Sequence, residues 1–164
     1  MMKAVEALKA KGYRVGGMIS REVRSGNVRV GFEILDLESG RRGWLSHVNQ
    51  PVGPQVGKYR VNMQDLEGIG AAAVERAVEQ LDVVTIDEVG PMELFSEKFK
   101  DAVQKAAESR KLLIGVVHWK ARNSLVDQLK TREDAEVLVV TLENRNTIHN
   151  DLVEKASEFL TAGL

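Results

Sequence analysis

Apolar residues recur in this chain at two spacings, and the switches between them mark out its elements. Over residues 2–11 the spacing is helical: Ala4, Val5 and Leu8 share a face, Lys3, Glu6 and Lys9 fill the rest, and Gly12 suits a C-cap. No Ser, Thr, Asp or Asn stands ahead of this helix to cap it. Residues 13–20 (Y-R-V-G-G-M-I-S) read as a strand and Ser25-Gly26-Asn27 as a turn. Residues 28–36 alternate, with Val28, Val30, Phe32 and Ile34 on the face predicted to be covered and Arg29, Gly31 and Glu33 on the other. Glu38-Ser39-Gly40 turns the chain into residues 41–48, which makes an antiparallel hairpin. Residues 49–58 (N-Q-P-V-G-P-Q-V-G-K) hold two of the three prolines and read as a loop.

Helical spacing returns over residues 63–80, where Leu66, Ile69, Ala73, Val74 and Ala77 line one side. Residues 81–86 (L-D-V-V-T-I) suit a central parallel strand covered on both faces. Ser96 caps a helix running S-E-K-F-K-D-A-V-Q-K-A-A-E, with Glu97 favourable in its first turn. Residues 111–117 and 136–142 predict two more buried strands, 124–129 a short helix, and 147–160 a closing helix carrying Ile148, Leu152, Ala156 and Leu160. The order predicts an α/β fold with a mostly parallel sheet, right-handed βαβ winding in its second half, and one domain over 1–164 with the hairpin 28–48 inserted at its edge.

Composition narrows the function classes. A hydrophobic content of 43% in 164 residues suits a compact core, and a net charge of -1 gives no basic field for nucleic acid. No basic stripe or aromatic platform stands out, so a nucleic-acid partner is not expected. Zero Cys excludes disulfides, thiolate metal sites and Cys nucleophiles, and fits a cytoplasmic protein. No apolar run is long enough to span a membrane, and the first residues lack the apolar core of a signal peptide. The three histidines, His47, His118 and His149, have no ligand spacing for zinc.

The chemistry gathers where the strand at 81–86 stops. Asp87 and Glu88 follow it directly, and Gly90-Pro91 comes just beyond. In open α/β sheets, sites form at the carboxyl ends of the strands. One carboxylate there can hold Mg²⁺ against phosphate oxygens, and the next can take a proton from an attacking water. The plain alternative is two acids opening a solvated loop.

The run V-V-T-I-D-E-V-G-P-M-E-L-F-S resembles the second nucleotide motif of a small P-loop nucleoside-triphosphatase family of thermophilic bacteria and archaea, with a human cancer-related relative. Residues 16–24 (G-G-M-I-S-R-E-V-R), Gly31-Phe32 and T-L-E-N-R-N at 141–146 resemble further family stretches, so the likeness spans essentially the whole chain. The resemblance implies a RecA-like three-layer sandwich that hydrolyses ATP, GTP and other nucleoside triphosphates with Mg²⁺. Asp87 would serve the metal and Glu88 the water. Glu93 would reach the metal's outer shell or merely cap local structure.

The family opens with a strand and G-x-x-x-x-G-K-[ST] ahead of its first helix, and the 164 residues contain no such motif. Gly12–Gly17 is followed by no Lys-Ser or Lys-Thr, and Gly57-Lys58 is followed by Tyr59. Because residues 1–11 match the helix after the loop, the chain is expected to begin about 15 residues into the pattern. A start assigned late, a shortened piece and a degenerate copy all fit that expectation. Weak hydrolysis and lowered stability follow from it.

Further candidates each have a bland counterpart. The resemblance implies that Arg21 and Arg24 face phosphates; otherwise they line a solvated turn. It also implies that His118, at the end of the strand 111–117, senses the γ-phosphate, where the plain reading is a solvated strand end, and Arg122 follows in the next loop. By the same resemblance Asn144 and Arg145 would touch base or ribose; otherwise they serve only a helix start with Asn146 as N-cap. A non-catalytic nucleotide-binding domain and a P-loop kinase remain the alternatives to hydrolysis. The oligomeric state is left open.

Overall fold

The structure is a computed structural model describing residues 1–162. Helix α1 (Met2–Ala10) leads into β1 (Val15–Ser25), followed by β2 (Val28–Asp36), β3 (Arg42–His47), β4 (Gln55–Val56) and β5 (Tyr59–Val61). A helical stretch then runs through α2 (Met63–Asp65), a π-helical segment (Leu66–Ala71) and α3 (Ala72–Gln80). Next come β6 (Val83–Val89), a 3₁₀ turn (Glu93–Phe95), α4 (Glu97–Glu108), β7 (Leu112–Val117), α5 (Ser124–Thr131) and α6 (Ile148–Ala162).

The strands form one sheet in the order β4-β5-β3-β2-β1-β6-β7. Among the described residues, only β1–β6 and β6–β7 are parallel; the other four pairings are antiparallel. The expectation of a mostly parallel sheet is therefore corrected. The hairpin adds its strands to the edge of β1, so the antiparallel half outweighs the βαβ half.

Helices cover both faces. Val84 and Ile86 point into a core with Leu66, Val74, Phe99 and Val126, from the π-helical segment, α3, α4 and α5. Val83 points the other way, toward Val5 and Leu8 of α1 and Val153 and Ala156 of α6. That opposition is the period-two geometry of a strand and explains why residues 83–86 read as apolar on both faces. Each large apolar side chain buried here contributes about 1.5–3 kcal/mol. Gly17 lies at φ +106°, and a Cβ on it would sit 2.1 Å from the Thr85 carbonyl oxygen. Only glycine lets β1 and β6 approach so closely.

Two further expectations change. Residues 136–142 form no strand: Val137, Val139, Val140 and Leu142 are 48–77% exposed. β7 ends the sheet, and residues 136–142 do not pair with its outer edge. Val28, expected on the covered face, is 58% exposed. The β1–β2 ribbon runs past the end of β6, beyond the residues that pair with it.

Arg76 of α3 donates to Glu38 at 2.7 Å and to the carboxylate of Asp36, which is 3% exposed. Asp36 also accepts from the Ser39 hydroxyl and from the amides of Glu38 and Ser39. Arg76→Met leaves a buried carboxylate without its cation. It is expected to cost about 3 kcal/mol, read as a lowered urea midpoint.

Candidate active site

β1 and β6 run side by side up to the Ile19–Asp87 pair, after which β1 continues alone in its ribbon with β2. Ser20, Arg21 and Glu22 therefore stand beyond the carboxyl end of β6. On the other side, Asp87 pairs with Val116 and Val89 with Val117, so the register skips Glu88. The Asp87–Glu88 peptide is cis. The amide of His118, just past β7, donates to the Val89 carbonyl at 3.3 Å.

These ends enclose a cavity of ≈ 440 Å³ whose polar walls are Ser20, Arg21, Glu22, Asp87, Glu88, Glu93 and His118. Phe32, Leu45, Val56 and Met92 supply its apolar wall. A larger hollow of ≈ 720 Å³ lies between α1 and α6, but its walls bring no such set of reactive groups together.

The acids differ in their surroundings. Asp87 and Glu88 are half-buried, and neither side chain accepts a hydrogen bond among the described residues. Burial raises the Asp87 pKa, partly offset by the ammonium of Met1 at the start of α1. Burial also raises that of Glu88, where His118 works the other way and Asp87 adds to the rise. Glu93 is 2% exposed, and its Oε2 accepts from the Gly90 amide at 3.1 Å. Burial above all, with smaller contributions from Glu88 and Asp87, pushes it up to about 8.

That value makes a stability prediction. Between the ordinary 4.5 and about 8, folded Glu93 keeps a proton that the unfolded chain has released. Stability therefore falls as pH rises through this window. At about 1.4 kcal/mol per pKa unit, the fall is roughly 3–5 kcal/mol. Urea midpoints at pH 5 and pH 8.5 should differ accordingly, and in Glu93→Gln the Glu93 share of the difference should vanish.

The cavity brings together five of the residues singled out in the sequence: Asp87, Glu88, Glu93, His118 and Arg21. Arg21 is also paired with Glu33 at 2.5 Å. Arg24 lies outside, held by Glu22 at 2.6 Å and by the Asn27 carbonyl. Arg122 is exposed in the loop before α5 and does not line the cavity. Asn144 and Arg145 lie away from it as well. The Asn144 side chain instead ties its own turn, accepting from the Thr141 amide at 2.7 Å and donating to the Val139 carbonyl at 2.8 Å. That turn stands ahead of α6, which begins at Ile148. Ser20 and Glu22 were missed. Their signal was the sudden polar run S-R-E after the buried G-G-M-I.

Among the described residues, no three His, Asp or Glu side chains gather as a metal cage. Mg²⁺ seldom needs one, since one or two carboxylates, phosphate and water complete its shell. Among the described residues, no helix is long and apolar enough to cross a membrane.

The family described as NTPase matches residues 1–153. The nucleoside-triphosphatase THEP1 of Thermofilum pendens is 40% identical over 161 residues, 98% of this chain and 88% of the relative. That of Methanopyrus kandleri is 42% identical over 160 residues, 97% and 88% of the two. Among solved structures, the crystal structure of THEP1 from Aquifex aeolicus superposes with a TM-score of 0.83 at 28% identity, covering 94% of this chain and 91% of that one. The solution structure of a human cancer-related nucleoside triphosphatase gives 0.79 at 33% identity, covering 96% and 89%.

Proposed function

The chain belongs to the NTPase family, and from that premise we propose that it hydrolyses nucleoside triphosphates, ATP and GTP among them, to the diphosphate and phosphate in a Mg²⁺-dependent reaction. One observation carries the reading: two half-buried carboxylates without hydrogen-bond donors face a cavity at the carboxyl end of β6, beside His118 and Arg21. Carboxylates left in that condition suit a hard cation, and Asp87 is the residue proposed to hold Mg²⁺. When bound, the ion would neutralise charge on the phosphate oxygens.

Glu88 accepts a proton from a water in line with the γ-phosphorus. As the water oxygen bonds to phosphorus, the bond to the β–γ bridging oxygen breaks and the diphosphate leaves. Arg21 and His118 offset the charge spreading over the γ-phosphoryl oxygens. Arg24, Arg122, Asn144 and Arg145 stay in the proposal as weaker contacts, reached only through movement of the far end of the β1–β2 ribbon and of the loops before α5 and α6 about bound nucleotide.

The proposal includes a strand and a G-x-x-x-x-G-K-[ST] loop ahead of α1. The 164 residues hold no such motif. Three features support its place. The start of α1 lies close enough to Asp87 to offset part of the rise in its pKa. The outer edge of β7 is unpaired in the sheet. Apolar residues 137, 139, 140 and 142 stand exposed in the segment that was expected to form a strand. The missing motif equally favours a second reading, a domain that binds nucleotide without hydrolysing it. Phosphate release from a panel of nucleoside triphosphates, with Mg²⁺ and with EDTA, tests hydrolysis. Calorimetric binding without turnover, in a polypeptide that carries the loop, would favour the second reading.

A further inference from the structure

We infer that Gly90 and Glu93 form a seat for the Glu88 carboxylate, which makes Glu93 a positioning residue for attack on the γ-phosphate. The inference rests on the reading of Glu88 as the base.

A Cβ placed on Gly90 would lie 2.8 Å from Glu88 Oε1, 3.2 Å from Glu88 Cδ and 3.1 Å from Glu93 Oε2. Two carboxyl groups thus converge on the spot where position 90 has no side chain. They are held very differently. Glu93 is 2% exposed and tied to the Gly90 amide. Its own backbone is fixed by Leu94 donating to the Gly90 carbonyl at 3.1 Å and Ser96 donating to the Glu93 carbonyl at 3.1 Å. Ser96 in turn caps α4 through the Phe99 amide at 3.1 Å. The rigid start of α4 therefore fixes Glu93.

Glu88 has no hydrogen-bond partner of its own among the described residues, and its long side chain would otherwise sample several rotamers. The notch at Gly90 and the fixed carboxyl of Glu93 limit where its end can go. A neutral Glu93 can donate to the Glu88 carboxylate, whereas two full charges at this spacing would push it away. A base must be held close to one geometry, and a misplacement of about 1 Å costs on the order of 10²-fold in rate.

The test compares Glu88→Gln, Glu93→Gln, Glu93→Ala and Gly90→Ala, in the polypeptide that carries the phosphate loop. The atom nearest an added methyl at position 90 is the far end of Glu88, not backbone. Gly90→Ala should therefore move chiefly the base, and its melting temperature reads any strain on Glu93, which lies 3.1 Å from the added methyl. We expect Glu93→Ala and Gly90→Ala to lower kcat by about 10–10²-fold, with KM and the Kd of a fluorescent nucleotide unchanged. Glu93→Gln, which keeps shape and a donor, should restore most of kcat. Normal kcat in Glu93→Ala and Gly90→Ala, with Glu88→Gln inactive, overturns the seat and leaves the base assignment standing. A matching rise in KM and Kd would assign the effect to the cavity's shape and also overturns it. An active Glu88→Gln removes the base assignment itself, and the seat with it.

Discussion

Extending the chain upstream by a strand and an in-frame G-x-x-x-x-G-K-[ST] loop is expected to raise Mg²⁺-dependent turnover by at least about 10³-fold. Such a loop supplies backbone N–H groups around the β- and γ-phosphates, a Lys against their charge and a hydroxyl for the metal. Single donors of this kind are worth about 10²–10³ in rate each. Among the described residues, the cavity offers phosphate the side chains of Arg21 and His118 and the Ser20 hydroxyl, and Arg21 already answers Glu33. The extension should also raise the melting temperature, because a strand beside β7 pairs its free edge and covers Val137, Val139, Val140 and Leu142. Steady-state phosphate release from both versions checks the rate, and calorimetry the stability. Turnover near 1 s⁻¹ by the 164-residue chain alone, well within the range of ordinary enzymes, would remove the need for the loop.

In the extended polypeptide, Glu88→Gln should lower kcat by about 10²–10⁴-fold, the usual share of a general base. The amide keeps the shape of the side chain but takes no proton at neutral pH. Folding should not suffer. Burial works against a charge at this position, so a neutral isostere should hold or slightly raise the melting temperature. Nucleotide affinity should stay close to that of the parent, since the base acts on water and not on the bound phosphate. Single-turnover kinetics with a fluorescent nucleotide separate the two effects. A variant that binds as before but hydrolyses at the parental rate would end the assignment of Glu88.

The parts of this molecule visible in its sequence are those that local rules control. Ser96 as a cap, the β6 run apolar on both faces and the turn at Gly26 all depend on near neighbours in the chain. Asp87 and Glu88 stood out because they interrupt an apolar run, although β6 itself continues to Val89. Residues 136–142 were misread because their composition suits a strand while strand formation needs a partner edge, which no local pattern reports. Val28 was misread for a related reason: alternation says which residues share a face, not whether a helix lies over it. The depth of Glu93 was not legible either. It follows from the turn between β6 and α4 folding back over Gly90, a tertiary event with no signature in M-E-L-F. Close neighbours take up Arg24 and the Asn144 amide in this structure, pairings that charge and amides read along a chain do not report.

The parallel pairing of β1 with β6 also shapes how the molecule assembles in time. The β1–β2 ribbon joins Ser25 to Val28 across a tight turn, whereas β1 and β6 join Val15 to Val83. Hairpins of the first kind form within about 1–10 μs, and contacts between distant parts of the chain wait on the slower closure of a long loop. The ribbon is thus expected to form as an early platform, with β6 docking onto it later. Asp87 and Glu88 reach their places only when that docking is complete, so a partly folded chain can hold its hairpin and core helices without yet possessing a reactive centre.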